Sequence, residues 1–213
     1  MKHCIYAMSF VLLAGAPAAL AQKWEVGVAG GGSFYTSQTI TNPAGNADAG
    51  LAKGFAVSGW LGNNVSNLIG GELRYDYEHS GLRLSSGGTS VNFGGMTNAI
   101  HYDFLLHLAP SESPVRPFLA AGAGVKVYSG TGTEQPFQPL SNIALLTKTQ
   151  EVKPLVSVGG GIKFALAKNA LLRVEVHDFL TPFPQNVIAP NAGSKTGGWL
   201  QDFVVMAGLS FGF

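Results

Sequence analysis

Residues 69–78 alternate without a break: Gly71, Leu73, Tyr75 and Tyr77 fall on one side, and Glu72, Arg74, Asp76 and Glu78 on the other. Successive side chains of a β-strand point to opposite faces, so this run is a strand with one apolar and one charged face. Residues 99–108 repeat the pattern, setting Ile100, Tyr102, Phe104, Leu106 and Leu108 against His101, Asp103 and His107. A period of two rather than 3.6 excludes an amphipathic helix for both segments. Their apolar faces carry large aromatics toward both strand ends, the placement of interfacial girdles.

The same test predicts six further strands. Residues 24–35 place Trp24, Val26, Val28 and Phe34 opposite Glu25, Gly27, Ala29 and Gly31. Residues 55–61 alternate least regularly, with Trp60 a candidate inward residue. Residues 117–128 leave Lys126 on the inner face, 152–164 leave Lys163 there, and 172–176 oppose Leu172, Val174 and Val176 to Arg173, Glu175 and the following His177. The last strand exposes Phe203, Val205, Ala207, Leu209, Phe211 and Phe213. Connections 62–66, 109–114 and 167–170 are short, whereas 36–52, 79–95, 129–151 and 181–198 are long and rich in Gly, Pro, Ser, Thr and Asn. Short turns and long loops alternate in this way at the two ends of a membrane barrel.

Composition leads to the same class. Hydrophobic residues make up 46% of the chain and charged residues only 12%, about half the charged share of an ordinary soluble domain. Beyond the first residues no apolar run approaches the ~18 needed for a helical span, and a closed barrel is the other structure that satisfies its backbone in lipid. The expected fold is all-β: an eight-stranded antiparallel up-and-down transmembrane β-barrel.

Residues 1–21 read as a signal peptide: Lys2 and His3 precede an apolar stretch over 5–16, and Ala19-Leu20-Ala21 supplies small residues for cleavage before Gln22. The barrel domain is then 22–213. Cleavage removes Lys2 and the single cysteine, Cys4, leaving twelve basic against twelve acidic side chains. A chain without cysteine has neither a disulfide framework nor a thiolate ligand, and near-neutral charge provides no footprint for nucleic acid.

Phe203, Val205, Ala207, Leu209, Phe211 and the terminal Phe213 resemble the C-terminal signal of bacterial outer-membrane proteins. That resemblance implies recognition by the barrel-assembly machinery and residence among outer-membrane lipids. With the signal peptide and eight strands, the chain resembles the small OmpA-type and OmpX-type barrels. The stretch Arg173-Val-Glu-Val-His-Asp-Phe179 with Thr181-Pro-Phe-Pro184 is similar to a pattern in that superfamily. With no residues after Phe213, the peptidoglycan-binding domain of full-length OmpA-like proteins is not expected.

The candidate site is the set of inward polar residues: Glu72, Arg74 and Asp76 on the third strand, His101 and Asp103 on the fourth, Lys126 and Lys163 on the fifth and sixth, and Arg173, Glu175 and His177 on the seventh. Eight strands enclose a space just wide enough for side chains to fill, so these ions must pair. Two readings stay open, a rigidifying plug of salt bridges and a narrow ion path through a rearranging network. His79-Ser80 beside Glu78 is the nearest hydrolase-like grouping, but adjacent strand residues face opposite ways, and His177-Asp178 fails the same test. No His-Glu-x-x-His occurs, so no metal or other cofactor is expected. The glycines of 30–32 and 159–161 lack the following Lys and Ser/Thr of a phosphate loop.

Phe137, Leu140, Ile143, Leu145, Leu146, Phe183, Val187 and Ile188 make two long loops unusually apolar. They either fold down over the barrel mouth or lie on the lipid headgroups, or they form a surface patch that binds another protein, a ligand or a neighbouring barrel. The expected role is a non-enzymatic envelope protein, for surface integrity or loop-mediated interaction. The alternatives are a small-solute or ion pore and, behind it, a lipid-modifying enzyme.

Overall fold

The computed structural model describes residues 23–213; the expected signal peptide, 1–21, lies outside them. The barrel is formed by β1 (Trp24–Tyr35), β2 (Gly54–Asn64), β3 (Ile69–His79), β4 (Gly95–His107), β5 (Val115–Gly130), β6 (Gln150–Ala165), β7 (Ala170–Pro182) and β8 (Trp199–Gly212). Each pairs antiparallel with its sequence neighbours, and β1 closes on β8 from Glu25↔Gly212 to Tyr35↔Asp202. Closure removes every free sheet edge from the wall, as lipid requires.

The alternation sorts the wall into two surfaces. Outward side chains are mostly apolar, including Val28 and Phe104, 64% and 67% exposed. Inward side chains are small, aromatic, charged or, as at Leu105, Leu155, Val204 and Met206, aliphatic, and Arg74, Asp76, Lys126, Arg173 and His177 are each 0% exposed. Trp24 and Phe34 mark the two ends of the outer band on β1. Ten residues of strand at ~3.4 Å each, tilted by ~40°, span about 25 Å, the height of a barrel's apolar band. Phe203, Val205, Ala207, Leu209, Phe211 and Phe213 all face outward.

The strands run beyond their predicted limits. β2 extends to Asn64 and β7 to Pro182, because ladder pairing carries segments whose own alternation has faded. Trp60 points inward and is 3% exposed. At one barrel end the turns are tight; Val65 N–H donates to Ile69 at 2.9 Å, and Leu166 N–H to Ala170 at 2.9 Å.

At the other end the long connections depart from the loops predicted for them. Gln38–Asn42 with Gly45–Leu51, and Leu82–Ser86 with Thr89–Phe93, form two hairpins that join edge to edge. Lys195–Thr196 completes a five-stranded sheet, and Ala144–Leu146 pairs separately with Ile188–Pro190. Gly87 and Gly88 turn the second hairpin at φ 55° and 84°, the left-handed pair that a two-residue hairpin turn demands. Beneath lies an apolar core that includes Ile40, Leu82, Leu84, Leu146, Val187 and Ile188. The apolar loop residues divide accordingly. Ile143, Leu146, Phe183, Val187 and Ile188 are buried in this cap and Leu140 packs against it, whereas Leu145 and Phe137 remain exposed, Phe137 at 76%.

Candidate functional site

The lumen is ordered in layers because each strand delivers an inward residue at every second position. The central layer is a ring of four ions. Arg74 donates to Glu72 at 2.9 Å and to Glu175 at 2.7 Å, while Arg173 donates to both oxygens of Glu72, at 2.7 and 2.8 Å, and through Nε to Glu175 at 2.5 Å. Glu72 and Arg74 belong to β3, and Arg173 and Glu175 to β7, which lies four places away in an eight-membered ring. The ring therefore joins opposite walls across the full width of the lumen. Forked guanidinium–carboxylate contacts of this kind are the strong, directional form of ion pair.

Aromatic rings complete this layer. The indole of Trp60 lies 5.1 Å from Arg74 Cζ and 4.7 Å from Arg173 Cζ, and Phe118 lies 4.4 Å from Arg173 Cζ. Cations over ring faces gain from the quadrupole, most strongly when desolvated. Gly27 makes room for the indole: a Cβ there would stand 2.2 Å from Trp60 Cζ2. Gly27→Ala is thus expected to displace Trp60 and cost about 1–3 kcal/mol as an overpacked core does. Urea unfolding read by tryptophan fluorescence would check this, and an unchanged midpoint would count against it.

Toward the cap, the next layer is built on histidine. His101 Nε2 lies 2.8 Å from Asp76 and Nδ1 lies 3.0 Å from Asp103. His177 approaches Glu175 at 3.4 Å through Nε2 and Ser157 at 3.4 Å through Nδ1. Gly122 permits this crowding, since a Cβ there would fall 2.1 Å from Asp103 Oδ1. Above it, Lys126 donates to Glu78 at 2.8 Å and to Asp202 at 2.5 Å, enclosed by the rings of Tyr35, Tyr128 and Phe179. Tyr35 also donates to Glu78. At the turn end, Lys163 donates to Glu25 at 2.6 Å.

All ten inward candidates thus occupy the lumen: Glu72, Arg74, Arg173 and Glu175 in one ring, Asp76, His101, Asp103 and His177 in the next layer, Lys126 and Lys163 flanking them. The candidate set omitted Glu25, Glu78 and Asp202, the carboxylates that partner the two lysines, although the alternation had already set Glu25 and Glu78 opposite the apolar face. Parity carried the signal for each, because Asp202 immediately precedes outward Phe203 and Glu25 immediately follows outward Trp24.

Two chemical possibilities are limited by placement. Ser157, His177 and Glu175 stand in a serine–histidine–acid order, yet all are buried, leaving no approach for a substrate carbonyl. His79 and Ser80 separate to opposite faces, His79 exposed and Ser80 buried against Ser33 at 2.9 Å. Among the described residues no group of three or more His, Cys, Asp or Glu is arranged to hold a metal ion.

Two hollows of about 250 and 290 Å³ lie on the flank of the cap, sharing Asp48, Arg83 and Ser85.

Comparison with known proteins identifies the architecture. Neisserial surface protein A shares 12% identity at a TM-score of 0.56, covering 89% of this chain and 97% of that one. The outer membrane protein OprG from Pseudomonas aeruginosa shares 13% identity at a TM-score of 0.55, covering 90% and 97%. At such identities the likeness concerns the fold. No curated protein matches the chain. Residues 7–211 match the family described as outer membrane protein beta-barrel domain. The chain belongs to that family, and its place is the bacterial outer membrane.

Proposed function

We propose that this protein is a closed, non-enzymatic barrel that carries a folded cap at the cell surface, serving envelope integrity or cap-mediated interaction. The observation that carries this reading is the ring of Glu72, Arg74, Arg173 and Glu175, which ties β3 to β7 across the lumen. Ion passage would require this ring to open, and separating buried charges costs several kcal/mol per ion. The cap supports the same reading. Its long connections bury their own apolar residues instead of leaving a mobile entrance, and its polar flank around Asp48 and Arg83 faces outward. For biogenesis, residues 1–21 act as the export signal and the outward series Phe203, Val205, Ala207, Leu209, Phe211 and Phe213 as the assembly signal.

Deleting the chain from its host tests the role. Increased entry of a hydrophobic antibiotic or a detergent, restored by the wild-type chain, is the expected result. Reduced uptake of small solutes would indicate a pore instead. An altered lipid A or phospholipid mass spectrum would indicate an enzyme.

A further inference from the structure

The outer wall carries a basic and aromatic cluster at the cap end of β1–β3. Lys53 directly precedes β2 and, by the register Ser33↔Gly54, stands across from Phe34 on β1. Its ammonium lies 5.7 Å from the centre of the Phe34 ring. On the other side of β2, His79 pairs with Phe55 in the ladder, and their rings stack at 5.4 Å and 22°. Lys53 and His79 are both exposed, and neither is joined to a carboxylate by an ion pair among the described residues. Phe55 faces His79 in the ladder, so Lys53, two residues before Phe55, is the diagonal neighbour of His79, a relation that in a regular ladder sets backbones about 7–8 Å apart.

Their height gives the anion its identity. Phe34 and Phe55 are outward residues at the cap end of the apolar band, 43% and 51% exposed, with Val57 below them also turned to lipid. Aromatic rings at this level lie where acyl chains meet headgroups, and a basic side chain there meets the headgroup charge. Polar contacts above an apolar wall fit an amphiphile whose charge and chains are joined.

We propose that the outer rim of β1–β3 binds a phosphate-bearing lipid of the outer leaflet, its phosphate held by Lys53 and His79 and its acyl chains lying on Phe34, Phe55 and Val57. Lys53 supplies a point charge on a flexible stem, and His79 adds a ring N–H held in place by its stacking on Phe55.

The test uses the purified full barrel in detergent, with native mass spectrometry scoring bound lipid A that carries its phosphates against the same lipid dephosphorylated. The wild type is expected to retain the phosphorylated lipid at least tenfold better. The double substitution Lys53→Gln with His79→Gln should abolish the difference, whereas Lys195→Gln, on the cap sheet, should leave it intact. Heat-dependent gel mobility verifies that each variant is folded. The proposal is overturned if the double variant still discriminates, or if Lys195→Gln weakens binding equally, which would mean diffuse attraction. It is also overturned if millimolar inorganic phosphate displaces the lipid, which would mean a simple anion site.

Discussion

Replacing Arg173 with methionine is expected to lower the unfolding free energy by about 3–5 kcal/mol, the loss that follows breaking a buried ion pair on one side. Arg173 donates three hydrogen bonds within the ring, two to Glu72 and one to Glu175. Methionine retains much of the volume and can still pack against Trp60 and Phe118, so the loss is dominated by charge rather than by a cavity. Glu72 keeps only its bond from Arg74, and a carboxylate that is 1% exposed is left poorly compensated. Adding Glu72→Gln to Arg173→Met removes that surplus charge and should restore a substantial part of the stability. Equilibrium urea unfolding in lipid vesicles would measure both variants. A single substitution costing under ~0.5 kcal/mol, the scale of an ordinary surface change, would show that the ring does not hold the walls together.

The cap offers the second large effect. Ile188 is 0% exposed in a cluster with Leu146, Val187 and Leu200, and its strand pairs with Ala144–Leu146. Ile188→Asp puts a carboxylate into that core, a change costing several kcal/mol without a partner. The cap has far less to lose than the barrel, so it should open while the wall stays closed. Added protease should then cut within 131–149 and 183–198, and the eight-stranded fragment should keep its heat-dependent mobility. If the variant is as resistant to protease as the wild type, the cap core does not hold these connections. Ile188→Ala, costing about 2–5 kcal/mol by cavity formation, should yield intermediate cleavage.

These two regions differ in how far the sequence discloses them. The barrel is legible because a wall with lipid outside and ions inside imposes a strict period of two; Glu72, Arg74 and Asp76 declare their face through the parity they share with each other. What parity does not reveal is partnership. The Arg74–Glu175 contact joins positions 101 residues apart, and only the closure of β8 on β1 places β3 opposite β7. Glu25, Glu78 and Asp202 could be assigned to the lumen by parity, but their attachment to Lys163 and Lys126 follows from three-dimensional height alone.

The cap is less legible for a different reason. Its strands are two to seven residues long, and they include weak signals such as Ala47 and Ala49 between Asn46, Asp48 and Gly50. Leu82 and Leu84, then Gly87-Gly88, then Val91 and Phe93 do form a recognisable hairpin pattern. The sheet itself depends on pairing between separate connections, Gly45–Leu51 with Leu82–Ser86 and Gln38–Asn42 with Lys195–Thr196. Such non-local pairings leave no period in the chain.

Single-channel recording in a planar bilayer reads directly whether the ion ring blocks the lumen. The wild-type barrel is predicted to give no unitary current at either polarity in molar KCl. Reproducible current steps from the folded wild-type protein, altered when Arg74 or Arg173 is replaced, would show that the ring is open to ions.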